Sequence, residues 1–347
     1  MPNPSRSHAL RRSSPVVAIV GATGAVGREL IGVLERREFP VANLRLYASP
    51  RSAGTVLPFR DEEIAVAALS QDSFAGVDLA LFSAGSKTAR EFAPAAQRAG
   101  AVVVDNSSAF RMDPAVPLVV PEINADEIEH HGGVIANPNC TAIVSLMAVS
   151  PIHRRNAVGR VIIATYQAAS GGGAAAMAEL QEATRAALDG RPYPPQVLPH
   201  PYAFNLFSHN TPIDPATGYN EEETKVMNEM RKILAAPELC VGVTCIRVPV
   251  LRAHAVALTV ECDEPIGPEQ ARAWLSDAPG VRLVDDRERN HFPMPSDATG
   301  QDDVLVGRIR RDLSDPSGHS LALFAAGDQL LKGAALNAVQ IAERLLR

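Results

Sequence analysis

The 347-residue sequence has only four cysteines, Cys140, Cys240, Cys245 and Cys262, too few and too scattered for a disulfide framework. It holds no C-x-x-C pair and no H-E-x-x-H, so the usual signatures of a zinc site are missing and no metal is expected. No stretch approaches the roughly 20 uninterrupted apolar residues of a membrane span. Charge of one sign is lacking too: 33 basic and 39 acidic residues leave a formal net charge of −6, with no block of like charge. Nucleic acid and anionic membrane are therefore poor partners, and cytoplasm is the expected address. The first 14 residues contain no acid but include Arg6, Arg11, Arg12 and four serines. A transit peptide shares that bias yet is amphipathic, whereas this stretch has almost nothing apolar. A disordered extension is expected over residues 1–14.

The remaining length allows two domains at roughly 150 residues each. Val16-Val17-Ala18-Ile19-Val20 is a short apolar run of the kind buried in parallel sheets, and Gly21-Ala22-Thr23-Gly24-Ala25-Val26-Gly27 follows at once. Val26, Leu30, Val33 and Leu34 then recur at helical spacing. Strand, glycine turn and helix in that order form a dinucleotide fingerprint, with a helix N-terminus aimed at the pyrophosphate. Gly21, Thr23, Gly24, Ala25, Val26 and Gly27 are the cofactor-binding candidates. The next strand, Leu44 to Ala48, ends where an NAD enzyme usually carries an acid for the ribose 2′-hydroxyl. Here Ser49-Pro50-Arg51-Ser52 stands instead. Ser49, Arg51 and Ser52 can hold a 2′-phosphate by charge-assisted hydrogen bonds, which favours NADP, although a plain solvated turn fits the same letters.

The α/β alternation continues with a strand at 77–82, a helix at 87–99 and a strand at 101–105. Asn106 to Arg111 then forms a polar loop at the carboxyl end of a strand, where doubly wound sheets bind ligands. Arg111 there suits an anion or a neighbouring carboxylate.

In Asn137-Pro138-Asn139-Cys140-Thr141, Pro138 and Asn139 sit where helices begin, and the apolar run after Cys140 reads as a buried helix. The amide groups and dipole at such a terminus favour a thiolate, the form of cysteine that attacks. A small hydrophobe capping a core helix fits the local pattern equally well.

From Gly159 the pattern changes. A strand over Val161–Tyr166 runs into Gln167-Ala168-Ala169-Ser170-Gly171-Gly172-Gly173 and a helix to about Leu188. Seven prolines between 191 and 215 mark an extended loop. Glu221-Glu222-Glu223 opens a helix to Leu234 with acids in its first turn, and Glu222 shares a face with Lys225. Gly242–Val248 and His254–Cys262 read as two neighbouring strands, with Arg247 and His254 at the ends of their connection. Strand-like runs at 304–309 and 321–324 follow, then an amphipathic helix over Asp328–Leu346. Clustered strands with separate helices suggest a mostly antiparallel α+β domain. The fold class is thus α/β, a Rossmann-type dinucleotide-binding domain plus an α+β domain with a mostly antiparallel sheet.

A dinucleotide fold with a helix-capped cysteine suggests covalent aldehyde oxidation through a thioester. The chain resembles the aspartate-β-semialdehyde dehydrogenases of bacterial type from Val16 to its end. The resemblance rests on GATGAVG (21–27), ASPRSAG (48–54), DNSSAFR (105–111), ANPNC (136–140), TYQAASGGG (165–173), EEETK (221–225), IRVPVLRAH (246–254) and KGAALNAVQIAE (332–343). It implies that L-aspartate 4-semialdehyde, phosphate and NADP+ interconvert with 4-aspartyl phosphate and NADPH. The reductive direction would feed lysine, threonine, methionine and isoleucine synthesis.

By the same resemblance Cys140 is the nucleophile, His254 the general acid/base and Gln167 the residue that orients the thioester. Arg247 would clamp the substrate α-carboxylate and Glu222 meet its ammonium. Arg111 and Lys225 would bind phosphate, with Asn139 beside them. Ser170, Gly171 and Gln329 fall in segments that the family uses toward the cofactor; Gln329 stands where relatives often have Asn, and Thr141 where many have Ser. The expected domains are 15–140 plus 326–347 for NADP and 141–325 for substrate and dimerisation, in a homodimer. The other eight histidines, His209 among them, have no comparable context and are expected to play no catalytic part. The nearest rival, N-acetyl-γ-glutamyl-phosphate reductase, has an acylated amine in its substrate and needs no acid such as Glu222. A non-catalytic homologue would typically lack the cysteine.

Overall fold

The structure, a computed structural model, describes residue 10 and residues 12–346. The extension expected over 1–14 lies outside the described residues at 1–9 and 11. Of the rest, Leu10 donates its N–H to Leu345 O and the Ser14 hydroxyl donates to Pro40 O. The chain divides into two compact units, one running through Asn139 and resuming at Ala334, the other spanning Cys140–Gly333.

The first unit is built on a seven-stranded sheet. Its strands are β1 (Val16–Val20), β2 (Asn43–Ala48), β3 (Val56–Phe59), β4 (Glu62–Ala68), β5 (Leu79–Phe82), β6 (Val102–Asp105) and β7 (Val134–Ala136). They lie in the order β3-β4-β2-β1-β5-β6-β7, parallel except for the β3–β4 hairpin. β1 is buried along its whole length, which is why it reads as an unbroken apolar run. The hairpin adds to one edge where periodicity predicts nothing regular, because only Leu57, Phe59 and Val66 in it are buried.

Helix α1 (Ala25–Arg36) follows β1 and buries Leu30, Ile31, Val33 and Leu34; α2 (Gly85–Ala99) follows β5. Chain order reverses between β1 and β5, so their carboxyl ends frame the switch point at which such sheets bind ligands. The C-terminal helix Leu336–Arg344 belongs to this unit, where Asn337 donates to Val119 O and Arg37 pairs with Glu343 at 2.6 Å.

The second unit holds another seven-stranded sheet: β8 (Val158–Gln167), β9 (Phe207–Ser208), β10 (Cys240–Arg247), β11 (His254–Cys262), β12 (Val281–Leu283), β13 (Val304–Arg311) and β14 (Ser320–Gly327). The order is β12-β13-β14-β11-β8-β10-β9, with β8–β10 and β12–β13 parallel and the other pairs antiparallel. β10 and β11 are therefore not neighbours, as the sequence suggests they should be. β8 lies between them and pairs with both, and the 248–253 connection crosses its end, where Val248 donates to Gln167 O. The longer helices of the unit are α3 (Cys140–His153), α4 (Ala174–Leu188), α5 (Glu221–Ile233) and α6 (Pro268–Ser276). α3 is buried all round from Thr141 to Ser150 and packs on β8, β11 and β14.

The last helix starts later than its periodicity predicts. Asp328 is wholly buried, and its carboxylate accepts from the Leu330 and Leu331 N–H groups, from Gly300 N–H and from Arg252 Nε. That side chain fixes a turn, a π-type turn follows over Leu331–Ala335, and regular helix begins at Leu336.

Candidate active site

In the first unit, the glycines of the 21–27 turn are required by space and by backbone angle. Gly21 has φ +89° and a Cβ there would sit 2.8 Å from Ser83 O; a Cβ on Gly27 would sit 2.2 Å from Gly21 O. Gly24 occupies the N-cap of α1, and no side chain among the described residues caps that terminus. Arg51 lies in the exposed turn after β2 and has no hydrogen-bond or ion-pair partner among the described residues. Arg111, buried, donates from Nε to Asn137 O at 2.9 Å and from Nη2 to Asn106 O at 2.8 Å. Asp105, at the end of β6, accepts the N–H and hydroxyl of Ser107; burial pushes its carboxyl up despite those bonds. Asn139, also buried, precedes Cys140.

In the second unit, Cys140 is the first residue of α3 and is half-buried, whereas the ten residues after it are buried. The helix thus hides its body and leaves the thiol at its N-terminus. The sheet register gathers the ends of three adjacent strands: Gln167 closes β8, Arg247 closes β10 opposite it, and His254 opens β11. Gln167 donates to Thr141 Oγ1 at 2.9 Å and reaches Glu222 Oε1 at 3.4 Å. Thr141 therefore anchors Gln167 to the residue beside the thiol.

His254 is 1% exposed. Its Nδ1 accepts the Ala168 N–H at 3.0 Å, while Nε2 is buried without a partner. Burial pushes its pKa well below 6.5, and the charges of Arg247 and His209 add to that effect. Arg247 donates to Ala168 O from Nη1 at 3.3 Å and to His209 Nε2 from Nη2 at 2.8 Å; its Nε is buried without a partner. Two buried donors thus point at nothing among the described residues, which is how a site prepared for an acceptor looks.

The three consecutive glutamates divide their tasks. Glu221 pairs with Lys225 at 3.8 Å, Glu222 is buried in the site, and Glu223 closes a capping box with Asn220 while accepting the Cys245 N–H. Lys225 also faces His209, whose pKa its charge helps to lower.

Ser170, Gly171 and Gln329 have tasks inside this cluster. Gln329 accepts the Ala253 N–H at 2.9 Å and donates to Ser170 Oγ, tying down the residue before His254. A Cβ on Gly171 would stand 3.0 Å from His254 Cε1 and 3.1 Å from Arg247 Nη1, so glycine makes room for both.

The structure also brings in His209, which the sequence gives no reason to single out. It comes from the proline-rich loop, and only the short strand β9 pairing with β10 carries it here. No sequence signal marks it. Among the described residues, no group of three or more His, Cys, Asp or Glu is arranged to hold a metal ion, and no helix is long and apolar enough to cross a membrane.

Known proteins resemble the chain over nearly its whole length. Residues 16–131 match the family model "Semialdehyde dehydrogenase, NAD binding domain", and residues 149–332 match "Semialdehyde dehydrogenase, dimerisation domain". An aspartate-semialdehyde dehydrogenase of Synechocystis sp. is 54% identical over 96% of this chain and 98% of its own length. One from Bacillus subtilis is 44% identical over 95% of this chain and 96% of its own length. The structure of aspartate semialdehyde dehydrogenase II from Vibrio cholerae complexed with ASA aligns with a TM-score of 0.93 at 41% identity, covering 96% of this chain and 98% of that one. With a dinucleotide-binding domain, a dimerisation domain and near-full-length identity of this order, the chain belongs to the aspartate-semialdehyde dehydrogenase family.

Proposed function

We propose that the chain catalyses the NADP-dependent interconversion of L-aspartate 4-semialdehyde and phosphate with 4-aspartyl phosphate, through a thioester on Cys140. The observation that carries this reading is the pair of partnerless buried donors, Arg247 Nε and His254 Nε2, in the cluster where Gln167 is bonded to the residue after Cys140. Relatives that bear the aspartate-semialdehyde dehydrogenase name support it.

In the reductive direction the Cys140 thiolate adds to the acyl carbon of the acyl phosphate, the carbonyl oxygen takes up negative charge, and phosphate leaves with its bonding electrons. NADPH, when bound, supplies the hydride that reduces the resulting thioester. The hemithioacetal then collapses, the C–S bond breaks, and the aldehyde departs as the thiolate is restored.

His254 acts on the oxygen. Because Nδ1 already accepts a backbone N–H, the neutral ring carries its proton on Nε2 and donates from there to the developing oxyanion. Arg247 offers a planar fork to the α-carboxylate, and Glu222 a buried negative charge to the ammonium. Lys225 carries positive charge for phosphate, and Arg111, matched to the family's other phosphate residue, has donors on a guanidinium already oriented by two carbonyls.

The first unit suits NADP. Its helix N-terminus lacks a side-chain cap, its glycines leave backbone accessible, and partnerless Arg51 stands where an acid would repel a 2′-phosphate. A homodimer fits the exposed apolar side chains Ile162 and Tyr166 on β8.

The test is an assay of both semialdehydes with phosphate and NADP+. NADP+ reduction that requires phosphate and L-aspartate 4-semialdehyde is expected. A clear preference for the N-acetylated glutamate semialdehyde overturns the reading.

A further inference from the structure

Arginine has no acceptor and stays protonated, so the 2.8 Å contact between Arg247 Nη2 and His209 Nε2 requires a lone pair on the imidazole. His209 is then neutral, with its proton on Nδ1. That nitrogen faces Thr211 Oγ1 at 3.2 Å, and the same hydroxyl oxygen accepts the Glu222 N–H at 3.1 Å in the first turn of α5. The ring is therefore held at both nitrogens, and its support is the helix end that carries Glu222. His209 is itself buried.

We infer that His209 is a positioning residue for substrate recognition: as a neutral acceptor it fixes the plane of the Arg247 guanidinium and leaves its charge to the substrate carboxylate. This rests on the reading that Arg247 meets that carboxylate.

The choice of an uncharged partner has a physical reason. An aspartate or glutamate at the same place would also orient the guanidinium, but it would neutralise it and compete with the ligand. Imidazole holds the fork and withdraws no charge. With one Nη1 hydrogen given to Ala168 O and one Nη2 hydrogen given to His209, the buried Nε–H is left for a ligand oxygen.

The groups facing His209 keep it in that state. Burial comes first, and the charges of Arg247 on β10 and Lys225 on α5 act in the same direction; Glu222 opposes them, and the pKa falls to about 4. His254 on β11 is also close enough to interact with it.

Three variants of the full chain test this by steady-state kinetics with L-aspartate 4-semialdehyde, phosphate and NADP+. His209→Phe keeps a ring but no acceptor, and is expected to raise KM for the semialdehyde about 10-fold or more, the usual worth of a hydrogen bond to a charged group. KM for NADP+ should stay within about 2-fold and kcat should change less than the semialdehyde KM does. His209→Gln restores a neutral acceptor and should return the semialdehyde KM to within about 3-fold of wild type. His209→Asp keeps an acceptor but adds charge, and should be at least as impaired as His209→Phe.

An unchanged KM in His209→Phe, a His209→Gln as poor as His209→Phe, or a His209→Asp that binds like wild type overturns the proposal. If His209→Phe does not fold, the contrast between His209→Gln and His209→Asp still decides it. Arg247→Lys separates the two levels. An unchanged semialdehyde KM there removes the carboxylate role of Arg247, whereas a loss there with silent His209 variants removes only the role of His209.

Discussion

A Cβ atom on Gly333 would lie 2.8 Å from the Cβ of Cys140 and 3.2 Å from that of Gln329. The π-type turn over Leu331–Ala335 is thus the surface on which Cys140 is seated, and only a glycine lets the turn come so close. Gly333→Ala is expected to cost about 1–3 kcal/mol of stability by overpacking. It should also lower kcat/KM by about 10–100-fold through a displaced thiol. Denaturant titration and initial rates on the folded variant check both; wild-type kcat/KM would show that the seat does not govern the thiol.

Cys140→Ser removes the thiolate while keeping the shape of the side chain. Turnover should fall at least about 10³-fold, as it does when a covalent nucleophile is lost. Binding of NADP, followed by fluorescence or calorimetry, should persist. Retained turnover contradicts a thioester route.

Arg51→Ala deletes an exposed guanidinium with no partner among the described residues, so its effect is expected on the ligand. NADP affinity should drop about 10–100-fold, the range of a charge-assisted hydrogen bond, while NAD affinity barely moves. An equal loss for both nucleotides would mean that Arg51 does not read the 2′-phosphate.

Acid should destabilise the fold through its buried histidines. His209 and His254 have folded pKa values below the unfolded 6.5, with His209 near 4, and His153 is lowered as well by partial burial. Between those limits the unfolded chain binds more protons, so stability falls as pH drops below about 6.5. At full slope each histidine contributes about 1.4 kcal/mol per pH unit. Urea unfolding at pH 7, 6 and 5 measures this, and His209→Gln should flatten the slope by one proton. A wild-type stability that stays level from pH 7 to 5 would refute it.

What the sequence determined by itself was local. A buried parallel strand writes its own apolar run, so β1 is legible from Val16 to Val20, and the turn after it is legible because Gly21 and Gly27 must be glycine for reasons of angle and space. The helix start at Cys140 is announced by the residues before it, and the acids at 221–223 announce α5. Resemblance to a known family supplied roles for Gln167, Arg247 and His254 that no local pattern carries.

Tertiary structure alone decided which of these groups meet. That β8 enters between β10 and β11 is a matter of strand pairing across tens of residues, and it is what aligns Gln167, Arg247 and His254 at one end of the sheet. Asp328 looks like a helix residue by spacing, yet its bonds to Arg252 and Gly300 hold the chain in a turn. His209 shows the limit most clearly. Nothing in its neighbours sets it apart from the other histidines, and only the pairing of Phe207 with Arg247 brings its ring to the guanidinium, since a hydrogen bond depends on three-dimensional distance and not on separation along the chain.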